Sequence, residues 1–192
     1  MKVEEIAVIK EHSTFSDVKK QNELAHFSHR ISFDYTDFTD VTNALTKTLN
    51  PELFKNSSGT AKGLLDAMVV RDVILNIKTA FTGLSNIQTN GTGAVLDFGV
   101  TGDVDKFIDA QDLAPSTISS PPSYRAYATH GDGDPYGYIT TADLNLTLTL
   151  TCAVSSGSDK LNALTAGGAE IYMEIVNMND VIADKGWRKV TL

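Results

Sequence analysis

Hydrophobic residues along this chain recur mostly at every second position, the periodicity of strands that bury one face. Between residues 70 and 81, Val73, Leu75, Ile77 and Phe81 fall on one side, and Asp72, Asn76 and Lys78 on the other. A second run sets Leu96, Phe98 and Val100 against Asp97, Gly99 and Thr101. The intervening SNIQTNGTG carries Asn90-Gly91, which tolerates positive φ at a reversal, so the two runs are predicted to pair as antiparallel neighbours. A tight turn and a short acidic segment follow them. Further on, Leu144, Leu146, Leu148 and Leu150 alternate with Asn145, Thr147, Thr149 and Thr151, a strand with one buried and one wet face. The last strong alternation turns Ile171, Met173 and Ile175 inward and Glu170, Tyr172 and Glu174 outward.

The remaining segments are shorter or more ambiguous. Residues 29–35 alternate cleanly through Ile31, Phe33 and Tyr35 and read as a strand. Residues 44–54 read either as a strand or as a short helix broken at Pro51, because proline lacks the donor and restricts the residue before it. KNSSGTAK at 55–62 and HGDGDPYG at 130–137 are loops by composition. Pro115, Pro121 and Pro122 make 114–123 extended and irregular, and 124–129 alternates Tyr with Ala as a further strand. Seven to nine short strands with turn residues between them predict an all-β sandwich. One domain at 26–192 is expected, with an irregular C-terminal tail that carries Trp187. Residues 1–25 are expected to be an N-terminal arm, with a short strand at Val3, Ile6, Val8 and Ile9 as the other reading.

Composition narrows the function more than the fold. The 192 residues include 16 Lys plus Arg against 24 Asp plus Glu, a net charge of -8, with no basic block. Binding to a phosphate backbone needs concentrated positive charge, so no nucleic-acid partner is expected. No stretch approaches the ~20 apolar residues of a membrane span, and no export signal opens the chain, so no membrane partner and synthesis in a cytoplasm are expected. The single cysteine, Cys152, gives neither a disulfide nor a CxxC site and is in phase with the buried leucines.

Candidate chemistry is sparse. Asp97, Asp103, Asp105, Asp109 and Asp112 offer carboxylates to Ca²⁺ but lack the EF-hand glycine and closing glutamate, and they equally suit a solvated turn. His130, Asp132 and Asp134 sit in a glycine-rich loop, and His26 and His29 would converge only on a helix, so both sets read as solvated or hydrogen-bonded side chains. No nucleophile elbow, Walker loop or dinucleotide fingerprint is present. The expectation is therefore a protein that is not an enzyme and has no cofactor or metal. Tyr124, Tyr127, Tyr136 and Tyr138 cluster around the proline-rich segment and the 130s loop, and are the candidate partner-binding residues, with sheet packing as the alternative.

A pattern of strand ends adds a setting. Thr79-Ala-Phe-Thr-Gly83, Asp97-Phe-Gly-Val100 and Gly102-Asp-x-Asp-x-Phe-Ile-Asp-Ala110, followed by Leu164-Thr-Ala-Gly167 and Glu170-Ile-Tyr-x-Glu174, resemble a family of small virion structural proteins of tailed bacteriophages. The resemblance spans roughly residues 64–178 and contains no catalytic signature. It implies a jelly-roll variant of the sandwich and a capsid decoration or cement protein on the virion surface. It further implies the major capsid protein as partner and a homotrimer matched to local threefold positions of the shell. A carbohydrate-binding sandwich that uses the tyrosines is the alternative function, and a metal-dependent enzyme ranks below both.

Overall fold

A computed structural model describes residues 1–5, 27–40, 42, 44–84, 94–113, 124–127 (backbone only), 137–152 and 160–178. These residues form twelve strands: β1 (Lys2–Glu5), β2 (His29–Asp34), β3 (Thr46–Leu49), β4 (Phe54–Lys55), β5 (Ala61–Lys62), β6 (Met68–Thr82), β7 (Ala94–Val100), β8 (Asp103–Asp112), β9 (Tyr124–Tyr127), β10 (Tyr138–Ile139), β11 (Leu146–Cys152) and β12 (Ala166–Asn177). They build a six-stranded sheet ordered β1-β2-β12-β6, with β10 and β9 each paired to a separate stretch of the other edge of β6, and a four-stranded sheet ordered β3-β11-β7-β8. Every pairing is antiparallel. The small hairpin β4-β5 stands apart.

The two sheets face each other across one apolar core, as the alternation requires. Ile31, Val73, Leu75, Ile77, Phe81, Ile171 and Met173 come from the larger sheet. Leu96, Phe98, Leu146, Leu148, Leu150 and Cys152 come from the smaller. The expected all-β sandwich is therefore present. The jelly-roll variant does not follow from its six-plus-four strand order.

Several expectations are corrected. The runs at 70–81 and 94–100 are strands, but they are not neighbours: β6 lies in one sheet and β7 in the other. Both bury the same phase of residues in a shared core, and alternation alone does not separate facing strands from paired ones. The partners of β7 are β11 and the acidic segment, which is strand β8 after the turn at Thr101-Gly102. The first five residues are not part of an arm, since Lys2–Glu5 pairs with His29–Ser32 and Val3 packs on the core. The loop at 55–62 closes as a hairpin because the Asn56 side-chain oxygen accepts the backbone N–H groups of Ser58 and Thr60.

Two glycines explain departures from regular pairing. Gly99 faces outward beneath β8, where Asp103–Asp112 bulges so that Phe98 pairs with Ile108 but Val100 with Asp103. A Cβ on Gly99 would lie 2.2 Å from the Asp103 carbonyl oxygen, so only glycine admits this arch. Gly167, at φ +146, lies flat against the Phe81 ring, 2.4 Å from where its own Cβ would be.

Candidate functional site

The outward face of the larger sheet is not the wet surface that its polar residues suggested. Glu170 is only 5% exposed and Tyr172 is buried beside it. One oxygen of Glu170 takes the Lys78 ammonium at 2.6 Å, and the other accepts the Tyr172 hydroxyl at 2.6 Å. Arg30 approaches the first oxygen at 3.7 Å and pairs with Glu4 on β1. The polar chain thus crosses four adjacent strands, β1, β2, β12 and β6. Burial alone would raise the Glu170 carboxyl, but the hydrogen bonds from Lys78 and Tyr172 and the Lys78 and Arg30 charges outweigh it, leaving the group below its usual range. Burial and then the Glu170 carboxylate push the Tyr172 phenol up to about 12. Phe27, Ile74 and Tyr172 make a small second apolar cluster alongside, with the Phe27 and Tyr172 rings edge-on at 6.1 Å.

A different side of the sandwich carries the candidate binding residues. Tyr124 and Tyr127 bound β9, whose backbone pairs with Ile77 and Ile74 of β6. Tyr138 lies on β10, half-buried, its ring 5.6 Å from Phe107 of β8 with the Lys106 ammonium 5.7 Å over its face. Tyr136 lies outside the described residues. The contacts of Tyr138 join the β9/β10 edge of one sheet to the β8 edge of the other, so the tyrosine-bearing strands and the acidic strand share one rim. Exposed apolar residues mark it on both sheets: Val104 on β8 and Ile139 on β10, the latter 61% exposed.

On the outward face of the smaller sheet, at the β3 edge away from that rim, Thr48 and Thr149 share a hydrogen bond of 2.9 Å, and Thr46 donates to Thr151 at 3.3 Å. Asp97 continues this face, across from Thr149 on β11 and from the Asp109-Ala110 bulge on β8. Its carboxylate accepts the Ala110 backbone N–H at 2.7 Å, which holds Ala110 at φ +44. Burial, with Asp109 and Asp105 nearby, pushes the Asp97 carboxyl above its ordinary value despite that hydrogen bond. Thr147, opposite Gly99 on the same face, is 7% exposed, and its hydroxyl has no hydrogen-bond partner among the described residues.

The other candidate ligands do not come together. Asp103 pairs with Lys106 at 3.4 Å, and among the described residues no three His, Cys, Asp or Glu side chains are placed to hold a metal ion. His29 is buried against Phe54, its Nδ1 sharing a hydrogen bond with the Ser28 hydroxyl, and burial lowers its pKa. His26, His130, Asp132 and Asp134 lie outside the described residues. Among those residues no helix is long and apolar enough to cross a membrane.

The sequence reading missed the burial of Glu170, Tyr172 and Thr147. Only Gly99, a glycine inside a strand and opposite Thr147, signalled the close approach of the β8 backbone over β7. These features define an all-β sandwich with an acidic, partly apolar rim. No protein family, characterised protein or solved structure matches the chain.

Proposed function

We propose that this chain is a non-enzymatic structural protein of a phage particle, a decoration protein that docks on the outer surface of the capsid shell and stabilises it. The observation that carries the reading is the shared rim: an acidic strand, exposed Val104 and Ile139, and tyrosine-bearing edge strands, a mixture suited to a protein surface with basic and apolar patches. The strand-end resemblance supplies the virion setting. Such a protein acts by burying its surface across neighbouring subunits, so that rupture of the shell must also break those contacts. A homotrimer on local threefold positions would multiply a weak contact through effective concentration.

The test is cosedimentation of purified protein with empty shells of the major capsid protein encoded in the same genome, together with the temperature at which decorated and bare shells rupture. Saturation at a fixed ratio to capsid subunits and a higher rupture temperature are expected. No cosedimentation at low salt overturns the reading. The carbohydrate alternative is less favoured, because one face of the Tyr138 ring lies under Lys106 and the ring also packs against Phe107.

A further inference from the structure

We infer that His29 is an acid-sensitive latch for the β4-β5 hairpin: when its imidazole takes up a proton, Phe54 leaves the ring and the hairpin lifts from the sandwich, while the two sheets stay paired. The inference does not depend on the function proposed above.

The hairpin is the one pair of described strands that joins neither sheet. Its backbone hydrogen bonds are internal, from Leu53 to Lys62 and across the turn between Asn56 and Thr60. Among the described residues it is tied to the rest by one hydrogen bond, from the Asn56 side-chain amide to Asp143 at 3.0 Å, and by Leu53 and Phe54 packed on the core. An element held in this way opens locally at little cost while the sheets remain intact. Phe54 rests on His29, with ring centroids 4.8 Å apart, and the imidazole is buried.

The surroundings of that imidazole suit its neutral form. At Nδ1 the Ser28 hydroxyl lies 2.8 Å away and accepts the Ile175 N–H at 3.0 Å. This contact adapts to either form: the hydroxyl donates to a neutral ring, or accepts from a charged one and turns its own proton to the Met173 carbonyl, 3.3 Å away. The rest of the ring has no such provision. Around it β12 presents Met173, the hairpin presents Phe54 with Lys55 beside it and Lys62 across from it, and β1 presents Glu5. The lysines offer no counter-charge, and Glu5 is exposed, so solvent screens it. An imidazolium here regains its hydration when Phe54 moves off it. Burial accordingly holds the His29 pKa below its ordinary value of 6.5, with Glu5 offsetting this only in part. The open form, with its ring in water, titrates at the ordinary value, so the closed form loses stability relative to it as the pH falls below 6.5. Asp143 is held below its own ordinary value by the Asn56 amide and the Asp66 N–H, so the tip of the hairpin stays tied through this range.

The test is an NMR titration of the isotope-labelled full chain from pH ~7.5 to ~5.5, above the carboxylate range. As His29 protonates, with a midpoint below that of a free imidazole, the cross-peaks between the His29 and Phe54 rings should vanish. Signals of residues 53–62 should shift with the same midpoint, and amide exchange in β6, β11 and β12 should not change. Glu5→Gln removes the one opposing charge and should move both midpoints to lower pH together. His29→Asn keeps an acceptor for the Ser28 hydroxyl but takes up no proton, and should leave residues 53–62 insensitive to pH over the range. The latch is overturned if the contact between the rings survives protonation of His29, if residues 53–62 and His29 titrate with different midpoints, or if the hairpin responds equally in His29→Asn. Should His29→Asn fail to fold, the ring contact and the paired midpoints in the parent and Glu5→Gln chains decide.

Discussion

Asp97 and Glu170 are both partly or wholly withdrawn from water, yet they titrate in opposite directions because their neighbours differ. Glu170 has Lys78, Arg30 and the Tyr172 hydroxyl around it and is held below its usual range. Its contribution to stability is therefore present above the unfolded-state pKa and lost as the pH falls through the lower folded one. Replacing it with alanine would leave Lys78 and Arg30 without their shared acceptor. Both cations are substantially solvated, so the expected loss is about 1–2 kcal/mol, below that of a fully buried pair, and denaturant melts would measure it. Asp97 has Asp105 and Asp109 near it and is raised. Its ionisation opposes folding above the raised folded pKa, and the opposition disappears as the pH falls below the unfolded value. Asp97→Asn keeps an oxygen for the Ala110 N–H and should stabilise the protein at neutral pH by roughly 0.5–1 kcal/mol. The gap between variant and parent should close on acidification; a gap that does not change with pH would show that the charge is not its origin. Thr147→Val removes a buried, unpartnered hydroxyl while keeping the shape, and should be neutral or stabilising by up to about 1 kcal/mol.

Along β11 the alternation has a direct energetic reading. Leu148 is fully buried, and Leu148→Ala should cost about 2–5 kcal/mol, far more than Thr147→Ala, in urea or thermal melts. Its inward phase was legible from the sequence, as were those of Val73, Leu75, Ile77, Phe98 and Ile171, because a period of two determines which side of a strand must leave water. The partners of those strands were not legible. Leu96 and Leu75 carry the same pattern although they belong to opposite sheets, and nothing local distinguishes them. Nor did the sequence reveal that the polar face of β12 is covered, since Glu170 and Tyr172 are residues that a solvated strand also uses. The four candidate tyrosines were found by clustering alone, which places them near each other in sequence but does not determine which rings pack, as Tyr138 does on Phe107. The arch of β8 is the element most sensitive to a single methyl group. Gly99→Ala would drive a Cβ into the backbone at Asp103 and Val104 and should cost on the order of 2–4 kcal/mol, with amide exchange accelerated in β8 before the rest of the sandwich.

For the molecule as a whole, β1 changes what a truncation can show. Removing residues 1–25 deletes an edge strand, the Glu4–Arg30 pair and the contact of the amino terminus with Asp37. The truncated protein should melt at a lower temperature than the full chain, whatever it does to trimer formation in light scattering. A melting temperature unchanged by the deletion would mean that β1 adds nothing to the sheet. The strand order has a further consequence for how the protein is made. β12, with residues 166–177, separates β2 from β6 in the larger sheet, so the strand at its centre is synthesised after every other described strand. β1, β2 and β6 are synthesised long before the strand that joins them, and until then the Ile31 and Leu75 faces have no sheet to complete. Pairing over such separations is slow and leaves strand edges open meanwhile. A nascent chain stalled before residue 166 should therefore be protease-sensitive across β1, β2 and β6, and one in which β12 has also emerged should protect all three together.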